Sequence, residues 1–508
     1  MVSAYTGSQV RAAERPLLDR GEGAALMARA AHGLALAVLR ELERTGAVYG
    51  RRVAGVVGKG NNGGDALFAL AEIARRGVRT TAVLTGGTAH PDGLAAFTAA
   101  GGRVTEELEP ADVVIDAVLG TGFAGEFRPP LPRPAATVVA CDLPSGVDAD
   151  TGTAGAAVWR ADVTVTFGAL KTGLLVGRGR ELSGTVEVVD IGLGPHLPEP
   201  DVRSLDDAAA AALLPRPRDD WQKYSRGVLG LVAGSPDFPG AAVLSAAGAL
   251  ATGVGMVRIV APDEVRNLVL AAHPEVVGSL EPRGRVQAWA VGPGIADDGG
   301  QRRALGVALG SGLPTVVDAS GLEALGEFLA ADPRSRGSAA EPRLGEVLAR
   351  IAEEGTVAGE HLVLTPHAGE LESLLANFNS ASDAPSRDSI ESQPLHWARE
   401  AARRIGVTVL LKGPATVCAA PDGTAYVQGS GHPYLATAGS GDTLTGILGA
   451  LLATGTHAGG HGSARPVELA ALAACIHQRA GRLAAKGGPY GAGELAQAVR
   501  EAVALFAA

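Results

Sequence analysis

The sequence has little cysteine and little charge for its length. Its three cysteines among 508 residues, Cys141, Cys418 and Cys475, fit neither a disulfide framework nor the spacing of a metal site, which indicates a reducing compartment. Charged residues are 19% of the chain, the formal net charge is −10, and no run of lysine and arginine is longer than a pair. Such a chain offers no basic surface to a phosphate backbone, so we expect no nucleic-acid partner.

Long apolar stretches are absent as well. Charged side chains such as Arg11, Asp19 and Arg20 interrupt the first 25 residues, where a signal peptide would need an apolar core. The apolar segment at 436–455 is rich in Gly and Thr and contains Asp442, which argues against a bilayer span. We therefore predict a cytoplasmic protein with no membrane partner.

Glycine, in contrast, is abundant, with 71 residues, but it follows no three-residue period, which excludes a collagen-like chain. The length predicts two or three domains. Between 52 and 190, short Val-rich runs alternate with longer Ala/Leu segments, which is typical of parallel strands covered by helices on both faces. The prediction is a Rossmann-like doubly wound α/β domain, against which one or two helices in 8–46 would pack.

A second region of the same kind follows a proline-rich stretch. Residues 195–222 contain five prolines and clustered charges around a short alanine run, which we interpret as a linker. Strand-like runs restart at 228, 256, 288, 314, 361 and 407, with Ala/Leu segments between them. The sequence thus predicts an N-terminal domain in 1–210 and a second α/β domain in 219–508.

The first motif is the glycine-rich segment GKGNNGGDA at 58–66. It follows a Val-rich run and precedes a helix predicted to start near Ala66. Glycine allows close backbone approach and a helix N-terminus attracts anions, so the segment predicts a phosphate-binding turn. The alternative is an ordinary strand-to-helix turn with Asp65 as the helix cap.

Two further strand ends carry polar side chains, in DAVLGTGFAGE at 116–126 and CDLPSGVDADTG at 141–152. Because the carboxyl ends of parallel strands face one crevice, we expect Asn62, Asp116, Asp142 and Ser145 to converge there. Carboxylate, amide and hydroxyl oxygens suit an alkali or alkaline-earth ion. Lys171, after the next strand, either pairs with a carboxylate or ligand phosphate or lies on the surface.

The second set of motifs lies in the C-terminal half. GSGD at 439–442 precedes an apolar helix, so its amides could surround a transferring phosphoryl group while Asp442 accepts a proton. Alternatively, Asp442 is only a helix cap. The segment 410–423 places Lys412 and Gly413 after a buried strand, which suits a nucleotide phosphate. The loops 362–375 and 290–299 also end strands, with His367 as either a ligand or an ordinary loop histidine.

The N-terminal motifs, in this order, resemble the NAD(P)H-hydrate epimerase family over nearly all of residues 8–195. Such enzymes interconvert the R and S epimers at C6 of hydrated NADH or NADPH. The resemblance implies a potassium site at Asn62, Asp116 and Ser145, and we assign proton transfer to Asp142. The hydrate contacts that it implies are Asn61, Asn62, Gly63, Gly64, Asp65, Gly120, Thr121, Gly122, Phe123, Ala124, Gly125, Glu126 and Asp142.

The C-terminal motifs resemble the ADP- or ATP-dependent NAD(P)H-hydrate dehydratases over 219–508, which implies a ribokinase-like α/β fold. The implied chemistry is phosphorylation of the C6 hydroxyl and loss of phosphate, with Asp442 as the base, ADP as the donor and magnesium as the cofactor. The resemblance places the hydrate contacts at Ala242, Gly294, His367 and Asp442, and the nucleotide contacts at Lys412, Gly413, Pro414, Ala415, Thr416 and Gly441.

Together the two resemblances imply a bifunctional NAD(P)H-hydrate repair enzyme that takes NADHX, NADPHX and ADP as its small-molecule substrates. We also expect a homo-oligomer. Two other functions remain open at this point. Ribokinase-like enzymes also phosphorylate vitamin precursors or sugars without losing phosphate, and epimerase-like domains also serve as non-catalytic scaffolds, for example in messenger-RNA decapping.

Overall fold

The computed structural model describes residues 1–123, 125–216, 219–296, 299–330, 361–376, 384–429, 431–455 and 464–507. The chain separates into two compact units, one formed by 3–202 and the other by 203–508 together with the first two residues. Both units consist of a largely parallel sheet with helices, which confirms the predicted α/β fold class.

The N-terminal unit is built on a seven-stranded parallel sheet in the order β4-β3-β2-β5-β6-β7-β9. Separately, β1 pairs in parallel with β8. The strands are β1 (Val2–Tyr5), β2 (Arg52–Val57), β3 (Arg79–Leu84), β4 (Arg103–Val104), β5 (Val113–Ala117), β6 (Thr137–Cys141), β7 (Val163–Phe167), β8 (Leu170–Lys171) and β9 (Thr185–Val189). The helices are α1 (Gly7–Asp19), α2 (Gly23–Arg44), α3 (Asn61–Ala74), α4 (Pro91–Ala99) and α5 (Gly177–Leu182).

The strand order reverses between β2 and β5, and this reversal positions the first site. From β2 the chain proceeds outward through β3 and β4, and then returns to the other side of β2 as β5. The central strands β2, β5, β6 and β7 are buried on both faces. Helix α2 covers one face with Leu34, Val38 and Leu42, which are fully buried. In such sheets the crevice at the carboxyl ends beside the reversal is the ordinary ligand site.

Helix α3 begins at Asn61, five residues before the predicted start near Ala66. Its N-cap is Gly60, so the interpretation of Asp65 as the cap is wrong. The glycines allow this early start, because a Cβ at Gly63 would lie 2.0 Å from the Gly58 carbonyl oxygen. A Cβ at Gly58 would likewise lie 2.1 Å from the carbonyl oxygen of Val118. Because these glycines have no side chains, the N-terminus of α3, the end of β2 and the loop after β5 can pack closely against one another.

The C-terminal unit contains strands in the order β13-β12-β11-β14-β15-β16-β17-β18-β19-β10, of which β18 lies antiparallel to both of its neighbours. The strands are β10 (Val202–Ser204), β11 (Val228–Val232), β12 (Met256–Val260), β13 (Val277–Ser279), β14 (Ala288–Val291), β15 (Thr315–Val317), β16 (Leu362–Leu364), β17 (Thr408–Leu411), β18 (Thr416–Ala419) and β19 (Ala425–Gln428).

The helices of this unit pack an extensive core. Helix α14 (Ser440–Gly455) is buried over almost its whole length. It packs against both α7 (Pro239–Thr252) and α15 (Pro466–Ala484), which explains its apolar sequence. The helices are α6 (Asp207–Leu213), α7 (Pro239–Thr252), α8 (Asp263–Ala272), α9 (Gly299–Leu309), α10 (Ser320–Ala330), α11 (Ala368–Ala376), α12 (Arg387–Ser392), α13 (Pro394–Ile405), α14 (Ser440–Gly455), α15 (Pro466–Ala484) and α16 (Ala492–Ala507).

The interpretation of 195–222 as a linker is wrong in its middle part. Arg203 in β10 pairs in parallel with Tyr426, and α6 follows directly. Asp206 caps α6 by accepting a hydrogen bond of 2.8 Å from the Ala209 amide, and Ala210 is fully buried in the core. An alanine run behind an aspartate cap forms a helix readily, so the prolines mark only the ends of this element.

Cys141, Cys418 and Cys475 are all free and buried. Among the described residues, no helix combines the length and the apolar character needed to cross a membrane.

Candidate active sites

Three predicted residues of the first site meet around the Leu119 backbone, just beyond β5. The Asn62 amide nitrogen donates to the Leu119 carbonyl oxygen at 3.0 Å, and the Leu119 amide donates to Ser145 Oγ at 3.0 Å. The Ser145 amide in turn donates to Asp116 Oδ2 at 2.9 Å. The strand ends of β2, β5 and β6 therefore converge, as the sequence predicts.

The charge of Asp116 bears on the proposed potassium site. The residue is 3% exposed, and burial raises the pKa of its carboxyl, although hydrogen bonds from Ser145 and Val118 oppose this shift. The surrounding oxygens come from a carboxylate, an amide, a hydroxyl and a backbone carbonyl, which is a donor set that hard monovalent cations accept. The residues present therefore fit the group that the resemblance implies.

Asp142 and Lys171 form a buried ion pair beside this cluster. Lys171 is 1% exposed, and its Nζ lies 2.6 Å from Asp142 Oδ1. The ammonium also donates to Thr166 Oγ1 at 3.0 Å and to the Phe167 carbonyl at 2.8 Å. Burial raises the pKa of Asp142, but the charge and hydrogen bonds of Lys171 and Thr121 outweigh it, so the net shift is downward. Lys171 is therefore no surface lysine.

The backbone of Asp142 directs its carboxylate. Its φ of 68° lies in the left-handed region, which aspartate tolerates better than most residues. This conformation turns the chain directly after β6. The other oxygen, Oδ2, accepts hydrogen bonds from the Thr121 amide at 3.1 Å and from the Thr121 hydroxyl. Asp142 thus joins the ends of β6 and β7 to the loop at 120–126.

Asp65 and Glu14 add two further carboxyl groups to this site. Asp65 is 8% exposed, and burial together with the charges of Asp142 and Glu14 raises its pKa well above the ordinary range. Burial also raises the pKa of Glu14, which responds to the charges of Lys171 and Asp142. The sequence analysis missed Glu14, since nothing in the local pattern of α1 separates it from the other charged residues of that helix.

The loop at 120–126 lines an open cavity of about 770 Å³, together with the segment after β6. Phe123, Gly125 and Glu126 contribute to its wall, whereas Ala124 lies outside the described residues. Arg11 fixes the loop by donating to the Thr121 carbonyl at 2.8 Å. Asn61 lines a different cavity of about 640 Å³ between α2, α3 and α4.

The second site is organised around a lysine that three elements hold in place. Lys412 Nζ, at the end of β17, lies 2.7 Å from Asp318 Oδ1. The other oxygen of Asp318 accepts a hydrogen bond of 2.7 Å from Thr445 in α14. Glu370 lies 3.4 Å from the same ammonium. Burial lowers the pKa of Lys412, but the two carboxylates raise it by more, so the lysine is charged.

Asp442 stands in the first turn of α14, next to this charged group. Burial, with a smaller contribution from the Asp318 charge, raises the pKa of Asp442 to about 6. A Cβ at Gly441 would lie 3.7 Å from both Lys412 Nζ and Asp318 Oδ2, so the GSGD turn faces the lysine. A carboxylate with this pKa suits the removal of a hydroxyl proton near neutral pH.

The loops that carry the remaining predicted contacts lie at neighbouring strand ends. The His367 amide donates to Glu370 Oε2 at 2.7 Å, and the Glu370 amide donates to His367 Nδ1 at 3.1 Å, which leaves the imidazole exposed. Gly294 has a φ of +62°, and a Cβ there would lie 2.8 Å from that of Phe238. Ala242, in contrast, has no exposed surface.

The nucleotide segment 412–416 forms the turn between β17 and β18. Gly413 and Pro414 are exposed, whereas Ala415 and Thr416 are buried. The Lys412 amide donates to the Pro366 carbonyl at 2.8 Å, which connects this turn to the loop of His367. The predicted nucleotide and hydrate contacts thus border one another.

Sequence reasoning missed Asp318, the residue that binds Lys412. The available signal was the same as for Asp116 and Asp142, namely an aspartate directly after a Val-rich apolar run. The next residue, Ala319, has a φ of 49°, which is unfavourable for alanine. Backbone strain of this kind is concentrated at functional sites, where the surrounding structure maintains it.

Known protein families match both halves of the chain. Residues 23–173 match the family described as YjeF-related protein N-terminus, and residues 229–336 and 345–503 match NAD(P)H-hydrate dehydratase. The chain is 43% identical over 472 residues to the bifunctional NAD(P)H-hydrate repair enzyme Nnr of Mycobacterium tuberculosis, covering 90% of each protein. It is 42% identical to the same enzyme of Mycobacterium leprae over 95% of this chain and 94% of that protein.

One solved structure also aligns with part of the chain. It is the ADP/ATP-dependent NAD(P)H-hydrate dehydratase from Bacillus subtilis, which was co-crystallised with ATP and Mg²⁺. The alignment covers 60% of this chain and 99% of that protein, at 24% identity and a TM-score of 0.47.

Proposed function

The chain belongs to the family of bifunctional NAD(P)H-hydrate repair enzymes, and we propose that it restores hydrated NADH and NADPH. In this proposal an epimerase domain in 1–210 interconverts the R and S forms at C6. A dehydratase domain in 219–508 then removes water from the S form with ADP as the phosphoryl donor. The matched ranges fall inside these boundaries, whereas residues 203–210 pack in the C-terminal unit.

The epimerase reaction needs one group that gives a proton and one that takes it, because a bond at C6 must break and form again on the opposite face. Lys171 holds the pKa of Asp142 below its ordinary value, whereas burial and the acidic neighbours hold the pKa of Asp65 well above its own. Two carboxyl groups whose environments push their pKa values apart are the usual arrangement of a base and an acid. We assign these roles to Asp142 and Asp65 respectively.

A potassium ion would be held by Asn62, Asp116 and Ser145. Its positive charge would compensate the buried Asp116 and attract the phosphates of the dinucleotide. The protein itself contributes the start of the 120–126 loop, where Arg11 and Asp142 hold Thr121 against the strand ends.

The dehydratase reaction begins with Asp442, which takes the proton of the C6 hydroxyl. The freed oxygen attacks the terminal phosphorus of ADP, the bond to the leaving AMP breaks, and the C6 phosphate ester forms. Phosphate then departs from C6 with both electrons of the C–O bond. A proton lost from C5 supplies the electron pair that restores the C5–C6 double bond. The net products are NAD(P)H, AMP and phosphate.

Lys412 would bind the transferred phosphate, because Asp318 and Glu370 fix its ammonium beside Gly441. Thr445 in turn holds Asp318 by a hydrogen bond. The exposed turn at Gly413 and Pro414 would bind the rest of the nucleotide. Magnesium would take most of its ligands from the phosphates, as is usual at such sites, and would neutralise their charge. Within the described residues there is no cluster of three His, Cys, Asp or Glu side chains suited to a metal.

The observation that carries the proposal is the combination of a carboxylate of raised pKa, Asp442, with the fixed cation Lys412 at one helix start. The test is to incubate the full chain with mixed R and S hydrate and either ADP or ATP. Absorbance at 340 nm should return completely with ADP. Chromatography separates the outcomes, since a stable phosphorylated product would instead mean an ordinary kinase, and no reaction would reject the proposal.

A further inference from the structure

A buried histidine contacts the GSGD turn from behind. His477 lies in α15, and its Nε2 is 3.0 Å from the carbonyl oxygen of Ser440 and 3.0 Å from Ser440 Oγ. The residue is 9% exposed. Neither the motifs nor the proposed mechanism uses it, although Ser440 directly precedes Gly441 and Asp442.

The contact defines the state of the ring. A carbonyl oxygen can only accept a hydrogen bond, so Nε2 carries the hydrogen and donates it to Ser440. Burial lowers the pKa of His477 to about 4, so the ring stays neutral throughout the physiological range. The histidine is therefore a fixed, uncharged donor rather than a group that exchanges protons.

This donor has a consequence for the neighbouring amide. The peptide that joins Ser440 to Gly441 is planar and trans, so its carbonyl and its N–H point in opposite directions. Fixing the carbonyl toward α15 therefore directs the Gly441 N–H away from α15. A Cβ at Gly441 would lie 3.7 Å from Lys412 Nζ, so this residue borders the lysine. An amide aimed before the reaction begins stabilises developing phosphoryl charge without reorganisation.

We propose that His477 is a positioning residue of the dehydratase site, which acts through the Ser440 carbonyl to aim the Gly441 amide at the transferred phosphoryl group. The inference rests on the proposed function, which it deepens. It assigns His477 no contact with substrate and no part in proton transfer.

The experiment compares two variants of similar length, H477Q and H477M, in the full chain. Glutamine can donate to Ser440 and methionine cannot, so H477Q should keep kcat for dehydration within about threefold of the unsubstituted protein. H477M should lose about tenfold or more in kcat, with KM for the hydrate little changed, because misaligning one charge-stabilising donor mainly affects the transition state. Ile476→Val is the matched control, since it removes a buried methyl group from the same helix without touching the turn.

Equal kcat values for H477Q and H477M would overturn the inference, whether both are normal or both reduced. A loss in I476V as large as that in H477M would also overturn it, because general destabilisation would then be the cause. A further comparison uses Ser440→Ala, which removes the hydroxyl but keeps the carbonyl. H477M should lower kcat by nearly the same factor in the S440A variant as in the unsubstituted protein. If the unsubstituted chain does not dehydrate the hydrate at all, the proposed function itself fails, and this result differs from all of the others.

Discussion

Lys171 binds Asp142 across the carboxyl ends of β6 and β7, with 2.6 Å between the ammonium nitrogen and the carboxylate. Neither group is accessible enough for water to replace its partner, since Lys171 is 1% exposed and Asp142 7%. Removing one member of such a pair leaves an uncompensated buried charge, which costs far more than the pair gains.

The first prediction concerns this pair. Lys171→Met should destabilise the N-terminal unit by about 3–5 kcal/mol, because Asp142 would keep a buried charge without a partner. Epimerase activity should be lost as well. Thermal unfolding checks the stability, and K171M/D142N should recover part of the loss. If the double variant is as unstable as K171M alone, the cost comes from packing rather than from the unpaired charge.

The second prediction concerns the role of Asp142. With excess ADP, Asp142→Asn should restore only the S fraction of a hydrate mixture quickly and then slow to the rate of spontaneous epimerisation. The reason is that the R form must pass through the N-terminal site, where Asp142 is the ionised carboxylate. A progress curve at 340 nm should therefore have two phases.

A separately added intact epimerase serves as the control for this variant. It should restore the fast second phase if the dehydratase unit is sound. One fast phase that consumes both epimers without any addition would show that Asp142 is unnecessary.

The third prediction is a pH dependence of dehydration. The pKa of Asp442 is raised from its ordinary 3.8 to about 6, and only the ionised form accepts a proton. The value of kcat/KM should therefore rise about tenfold per pH unit below pH 6 and level off above it. Epimerisation by the same samples provides the comparison, since Asp142 has a lowered pKa. If both activities fell in the same way below pH 6, the assignment of Asp442 as the base in dehydration would be contradicted.

The fourth prediction is that Asp442→Asn lowers dehydration by about a hundredfold or more and yet stabilises the protein at neutral pH. The sign follows from the raised pKa, because the folded state holds the Asp442 proton more tightly than the unfolded state. Stability contributed by this group therefore falls as pH rises from about 4 to about 6. The unsubstituted protein and D442N should have the same thermal unfolding midpoint at pH 4. At pH 7.5 the midpoint of D442N should be higher. Normal dehydration by D442N would leave Asp442 with a structural role alone.

The fifth prediction tests the potassium site by stability. Replacing choline with potassium at constant ionic strength should raise the thermal midpoint of the N-terminal unit, as expected for an ion that binds the folded state. Asp116→Asn should abolish this increase. Asp112→Asn is the matched control, because Asp112 lies just before the same strand and binds Arg51 and the Arg52 backbone instead. If potassium leaves the thermal midpoint of the unsubstituted protein unchanged, the proposed site does not bind potassium.

The sequence by itself determined the fold class, the two α/β regions and the convergence of Asn62, Asp116 and Ser145. These features are encoded in contiguous stretches, since a Val-rich strand, a glycine turn and a helix start follow one another within a few residues. Parallel strands then bring their carboxyl ends to one edge whatever the details of packing. The same local reasoning misplaced the start of α3 at Ala66 and took β10 and α6 for a linker, because glycine and proline were treated as breaks.

Only the tertiary structure decided which side chains became partners. Lys171 reaches Asp142 across 29 positions, Lys412 reaches Asp318 across 94, and His477 reaches Ser440 across 37. Each partner's local pattern leaves several options open, such as a surface lysine, a loop aspartate or a core histidine. Which of these options is realised depends on how the sheet and its helices pack. Packing determines which polar groups are buried together, and buried polar groups must then form hydrogen bonds or ion pairs with one another.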